Sequence, residues 1–302
     1  MSAYLGHLAA LGTSLAWSFS STSFTLAGRQ TGSVVVNRTR LLLAVLFVAL
    51  THRLLEGQFL PLGAEPFRWG WLALSGIIGY VVGDGFLFQA FVMIGPRLSM
   101  LLMALAPVFS TVLAWVLLGE ALAPRELMGI LLAVGGVGLV VSDRRGGRAA
   151  LPELPPRQYA VGILFGLGAA LGQAGGLLAS RLGLAGDFPA LSGNLIRLLT
   201  ATLAIWGITV LRGQTREHFL LLRAHPRAWW GILGGAVAGP FVGVWLSLVS
   251  VQHAPLGIAS TLMSLSPIFL LPVGRYLFGE QIGMRAVAGT GVAVLGTALL
   301  FL

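Results

Sequence analysis

Ten apolar stretches, each about twenty residues long and parted from the next by a polar connection or tight turn, leave this chain few folds to choose from. They run over 5–26, 34–51, 69–93, 97–118, 126–142, 159–180, 189–211, 228–251, 255–278 and 284–302. A stretch of that length crosses the hydrocarbon of a bilayer as a helix, which satisfies every backbone polar group within one segment. Water is the wrong solvent for such a surface. Apolar residues are 56% of the chain and charged ones 10%, against roughly a quarter charged in soluble domains. The expected fold is an all-α membrane protein of ten transmembrane helices. The first stretch lacks the charged leader and cleavage-type end of a secretory signal and is read as the first span.

The stretches fall into two sets. Displaced by 160 positions, Met103, Leu105, Pro107 and Phe109 become Met263, Leu265, Pro267 and Phe269. The same displacement carries Gly119-Glu120 onto Gly279-Glu280, Arg125 onto Arg285, and Trp69 onto Trp229. Displaced by 157, Asn37-x-x-Arg40-Leu-Leu becomes Asn194-x-x-Arg197-Leu-Leu. Chance matches in apolar sequence use Leu, Ala and Val, whereas Pro, Glu, Arg and Trp recur in register only through repetition. Five spans per set is an odd number, so the second set crosses the membrane in the opposite sense. The expectation is two inverted five-helix repeats, an arrangement of many secondary transporters. The first repeat covers 1–143, a linker rich in Pro, Gly and Arg covers 144–157, and the second repeat covers 158–302.

The segment from Leu98 to Leu122 resembles the fourth helix of EamA-type members of the drug/metabolite transporter superfamily. Ile258 to Gln281 is similar to their ninth helix, and Arg40 to their second-helix arginine. The resemblance covers nearly the whole chain and runs closest to the bacterial aromatic amino acid exporter branch. It implies ten helices, a central cavity between the repeats, both termini cytoplasmic in a bacterial inner membrane, and export of amino acids, nucleosides, sugars or drugs. The arginine distribution points the other way on sidedness. Even-numbered connections hold Arg53, Arg68, Arg125 and Arg181. Odd-numbered ones hold Arg29, Arg97, Arg144, Arg145, Arg148, Arg157, Arg212, Arg216, Arg223, Arg227 and Arg285. Arginine-rich loops face the cytoplasm, which by itself would put the termini outside. The expectation adopted is the family's.

Several residues within the spans carry chemistry. Pro107 and Pro267 each remove a backbone donor and clash with the carbonyl of Met103 or Met263, four residues back. Freed carbonyls in hydrocarbon need a partner, so such breaks line cavities or shape packing. Met103, Met263 and Ser264 are expected to face the cavity beside them. Arg40 and Arg197 lie about two turns inside their spans, where a guanidinium holds structure, gates, meets a substrate carboxylate, or snorkels to the interface as Arg38 is expected to. Asp84 is the one acid deep in a span, and the repeat-equivalent position is Val244. It pairs with Arg40, stands alone as a cavity acid, or lies near the interface. Glu120 with Arg125 and Glu280 with Arg285, each five residues apart, read as structural clasps on the hairpins or as gating pairs. Trp17, Tyr80, Phe88, Gln173, Trp206 and Trp245 suit a cavity for an amphipathic ligand as well as they suit packing. Hydroxyls along the first span (Thr13, Ser14, Ser18, Ser21, Thr22, Thr25) read as helix-association contacts or cavity lining.

Other classes fit poorly. A net charge of +9 has no basic stripe or domain behind it, so nucleic acid is not an expected partner. The chain has no Cys, no His-Glu-x-x-His and no phosphate-binding loop, so no metal, cofactor or nucleotide is expected. An intramembrane aspartyl protease needs two embedded Asp, and Asp84 is single. The expected partners are a small-molecule substrate and membrane lipid, with the chain acting as a monomer, and no enzymatic activity.

Overall fold

The computed structural model describes residues 2–119, 121–142, 155–186, 188–253 and 256–301. Every regular element among them is helical. The first half holds α1 (Ser2–Thr31), α2 (Ser33–Glu56), α3 (Pro66–Gly76), α4 (Asp84–Met103), α5 (Ala106–Leu118) and α6 (Pro124–Ser142). The second holds α7 (Pro156–Gly183), α8 (Ala190–Leu211), α9 (Thr215–Ala224), α10 (Pro226–Ala236), α11 (Val244–His253), α12 (Leu256–Met263), α13 (Ser266–Tyr276) and α14 (Met284–Leu299). A π-helical turn, Ile77–Gly83, joins α3 to α4, and a second, Val237–Gly243, joins α10 to α11.

Six helical stretches are long and apolar enough to cross a membrane: Ser33–Glu56, Pro66–Met103, Pro124–Ser142, Pro156–Gly183, Ala190–Leu211 and Pro226–Ser247. Ala106–Leu117 and Met284–Leu299 are shorter apolar helices. Helix α1 has the length, at 30 residues, but is not among the six, because its run of Ser and Thr lowers its hydropathy. The Pro66–Met103 stretch has 38 residues, about 57 Å of helix, nearly twice the bilayer hydrocarbon. It is divided at Gly95, whose backbone (φ 81°, ψ 168°) is open to glycine but not to an L side chain in a helix. Pro96 follows, so the division falls between the stretches expected over 69–93 and 97–118.

The element boundaries repeat with the sequence. Pro66 and Pro226 open α3 and α10, and both π-turns lie 160 positions apart. Both of the proline-bearing spans are divided rather than bent: α4 stops at Met103 and α5 restarts at Ala106, while α12 stops at Met263 and α13 restarts at Ser266. The interruption falls just before each proline, where the sequence placed a break. Pro107 and Pro267 sit in the first turn of a new helix, where a missing N–H costs nothing. Packing follows the same symmetry. Helix α1 lies against α10, α11 and the turn between them, and α7 lies against α3, α4 and theirs. Helices α2 and α8 pair, as do α6 and α14.

Small residues permit the closest of these crossings, as helix packing in lipid requires. A Cβ on Gly136 would stand 2.3 Å from the Ala293 nitrogen, and one on Gly296 2.2 Å from the Ala133 nitrogen. Helices α6 and α14 therefore meet backbone to backbone. One element departs from the expected organisation. The polar connection 212–227 contains a helix, α9, whose His218 is 2% exposed.

Candidate functional site: a cavity with one charged wall

Helices of both halves (α1, α2, α4, α5, α7, α8 and α11–α14) and the two π-turns converge on a cavity of about 490 Å³. Its first wall is polar. Arg40 on α2 donates from Nη2 to Asp84 Oδ2 at 2.5 Å and to Asn37 Oδ1 at 3.1 Å. Gln173, reaching over from α7, donates from Nε2 to the other carboxylate oxygen, Asp84 Oδ1, at 2.6 Å. The Tyr80 hydroxyl donates to Asn194 Oδ1 at 2.7 Å, and Asn37 Nδ2 donates to the Tyr80 carbonyl at 3.1 Å. Arg40 lies 5.2 Å from the centre of the Phe88 ring and 5.9 Å from that of Tyr80. Arg197 covers Tyr80 at 4.7 Å. The Arg40 and Asp84 side chains are each 8% exposed.

The backbone explains this assembly. Asn37 and Arg40 are three apart on α2 and so share a face. The π-turn 77–83 gathers an extra residue per turn and ends directly at Asp84. At Gly83 the α7 backbone passes so closely that a Cβ would meet Gly172 C at 3.2 Å and Gln173 N at 3.3 Å. That contact places Gln173 beside Asp84. A charge pair so buried is weak evidence for stability, and a pair that also faces a cavity is a candidate for function.

The opposite wall is largely apolar. It presents Trp17, Val244, Met263, Ser264 and Pro267, with Met103, Pro107, Met100, Phe24 and Phe91 between the two walls. Trp17 lies against Gly243 through its ring, where Gln173 lies against Gly83 through its backbone: a Cβ on Gly243 would stand 2.9 Å from Trp17 Nε1. The cavity thus carries an aromatic ring and a valine at the positions that carry an amide and a carboxylate on the first wall.

A second buried ion pair lies outside the cavity. Arg97, just past the Gly95-Pro96 turn, donates from Nε to Glu280 Oε2, and both side chains are under a tenth exposed. Arg29 stacks on Phe278 at 4.8 Å nearby. Residues of one half and the other are thereby joined at one end of the bundle. The expected Glu280–Arg285 clasp is corrected: Arg285 is exposed, and the Glu280 carboxylate is turned inward to Arg97. Arg125 is exposed as well, and Glu120 lies outside the described residues.

Most of the remaining sequence candidates meet in the one cavity: Trp17, Tyr80, Asp84, Phe88, Met103, Pro107, Gln173, Met263, Ser264 and Pro267 all line it. Trp245 does not. It is 46% exposed, two residues past the π-turn, and Val244 takes the inward position. Trp206 packs instead on His218 at 4.9 Å and donates to the Arg38 carbonyl. Arg38 is 7% exposed and donates to Gln214 Oε1 in the α8–α10 connection at 2.7 Å. The hydroxyls of α1 mostly bond within the helix, although Ser18 and Thr13 also reach carbonyls of the second half and Ser21 lines the cavity. Sequence reasoning missed Asn194, Ser20 and the Arg97–Glu280 pair. The recurrence of Asn37 as Asn194 was the available signal for the first.

Comparisons with known proteins agree with this architecture. The profile of the EamA-like transporter family matches residues 4–142 and again 160–302. An uncharacterised protein of Pseudomonas aeruginosa is 29% identical over 243 residues, covering 79% of this chain and 75% of that protein. A probable 4-amino-4-deoxy-L-arabinose-phosphoundecaprenol flippase subunit of Pseudomonas paraeruginosa is 32% identical over 109 residues, 34% of this chain and 93% of that protein. A solved crystal structure superposes with a TM-score of 0.59 at 18% identity, covering 98% of this chain and 96% of the other, which is a likeness of fold. With both of its halves matched, this integral membrane chain belongs to the EamA-like transporter family.

Proposed function

We propose that the protein is a secondary transporter that exports small amphipathic metabolites, aromatic or neutral amino acids first among them, by alternating access. One observation carries the reading: the cavity sets a buried Arg40–Asp84 pair opposite a wall of Trp17, Val244 and Met263. A zwitterionic head can exchange partners with that pair, its carboxylate to Arg40 and its ammonium to Asp84. The apolar body then rests on the rings and thioethers. A volume of about 490 Å³ falls in the range of small-molecule sites. The odd number of spans per half supports an inverted-repeat topology of ten helices in a bacterial inner membrane, with both termini cytoplasmic and the chain a monomer. The Arg97–Glu280 bond then belongs to the closed face, and opening that face separates it. Amphipathic drugs of similar size fit the same description.

A second reading rests on the flippase-subunit relative, whose name specifies a lipid-linked amino sugar. Its amine would seek Asp84 as an amino acid's does. Counterflow in liposomes separates the two. Preloaded aromatic amino acid should drive saturable uptake of its labelled counterpart, and Asp84→Asn should reduce it at least tenfold. Uptake that no amino acid drives, with flipping of an amine-bearing lipid, would favour the second reading. Flux that persists with both faces cross-linked shut would overturn both.

A further inference from the structure

The connection between α8 and α10 joins two membrane-crossing stretches and so lies at a membrane face. Helix α9 within it is fixed to the bundle by its inner side. His218 is buried, with Nε2 3.3 Å from Thr39 Oγ1 and its ring 4.9 Å from that of Trp206, and Gln214 accepts from Arg38 at 2.7 Å. Its outer side and flanks are of a different character. Arg212, Arg216, Arg223 and Arg227 are all exposed there, with Glu217 the one acid among the exposed residues. In the same stretch Leu211, Phe219, Leu220 and Trp230 are 88%, 55%, 54% and 67% exposed. Water is a poor solvent for those side chains and hydrocarbon a poor one for the guanidinium groups. The boundary between head groups and acyl chains receives both.

We infer that α9 and its flanks form a docking surface for anionic phospholipid, with arginines on the head-group phosphates and Leu, Phe and Trp in the outer acyl region. Charge complementarity selects the lipid. Four cations against one acid draw phosphatidylglycerol over a zwitterionic lipid, each contributing about 1 kcal/mol near such a surface. A guanidinium also grips a phosphate through paired donors. Through Gln214 on Arg38 and His218 on Thr39, the occupied surface bears on α2 within two residues of Arg40.

Binding of phosphatidylglycerol and of phosphatidylcholine to the delipidated full-length protein, counted by native mass spectrometry over a titration, tests this. The wild type should hold phosphatidylglycerol more tightly. R216Q/R223Q should weaken that binding on the order of tenfold and leave phosphatidylcholine unchanged, while R216K/R223K keeps most of it. R275Q/R285Q, which removes two exposed arginines elsewhere, should leave it at the wild-type value. Equal affinity of the wild type for the two lipids would overturn the proposal. So would an equal loss in R275Q/R285Q, or displacement of the lipid by inorganic phosphate at matched concentration. A co-purifying polypeptide lost in R216Q/R223Q and not displaced by phosphatidylglycerol would assign the surface to a protein instead.

Discussion

The two walls of the cavity are built on the same frame and filled with opposite chemistry. Each consists of a π-turn ending in a glycine, crossed by the first helix of the other half, and followed by the residue that faces the cavity. On one side those residues are Gly83, Gln173 and Asp84, and on the other Gly243, Trp17 and Val244. At both glycines the neighbouring helix comes so close that a Cβ would force it to shift. Side-chain symmetry is free to lapse, because a cavity imposes no packing partner. On the proposed alternating-access reading, the halves would exchange shape while the charged wall gives a ligand its orientation.

The strongest way to break the comparison is to make the walls alike. Asp84→Val leaves Arg40 buried against a valine, and losing one partner of a buried pair costs about 3–5 kcal/mol. Expression and thermal midpoint in detergent should fall sharply, and flux should vanish. Replacing Arg40 with Met as well removes the stranded charge, so the double variant should recover much of the expression but none of the amino acid flux. Full flux in the double variant would mean that the charged wall orients nothing.

Glu280→Gln tests whether the ion pair at the end of the bundle belongs to one state of the exchange. The neutral amide keeps one acceptor for Arg97 but loses the charge, which is worth about 1.5–3 kcal/mol in a charge-assisted bond. Cysteines placed at exposed positions around Arg29 and Phe278, in a chain that has no Cys of its own, should react faster with a water-soluble thiol reagent in this variant. Unchanged rates would detach the pair from opening.

Gln173→Leu sharpens the comparison at a smaller scale. It removes one donor from Asp84 and brings the first wall closer to the second, at a cost of about 1–3 kcal/mol for the lost partner. The substrate KM should rise several-fold with little change in the maximal rate, because Arg40 still holds the carboxylate. A fall in the rate alone would place Gln173 in the conformational step instead.

The smallest effect belongs to α9. Burial first, and the nearby Arg38 second, pull the His218 pKa down to about 4 from the ordinary 6.5. The neutral ring is the one that packs. Its stabilising contribution is complete above pH 6.5 and is lost as pH falls toward 4, with a slope of at most about 1.4 kcal/mol per pH unit. His218→Phe should flatten the pH dependence of the thermal midpoint in that window and leave flux at neutral pH intact.

Apolar run length and the recurrence of Pro, Gly, Arg and Trp in one register determined the solvent, the repeat and the family, because membrane insertion and repetition both write themselves into linear spacing. Asp84 was legible as an anomaly, being the one acid inside a span, and so were the proline-bearing breaks. Partnership was not legible. The sequence spacing joined Glu280 to Arg285, five residues away, whereas folding brings it to Arg97 from the other half. Trp245 and Val244 are neighbours that no periodicity separates, and the π-turn before them alone decided which faces inward. Helix α9 was hidden because ten residues with three charges read as a loop until α2 and α8 give His218 somewhere to be buried. Distances between halves depend on how closely backbones approach at glycines, a three-dimensional quantity that only the packed helices set.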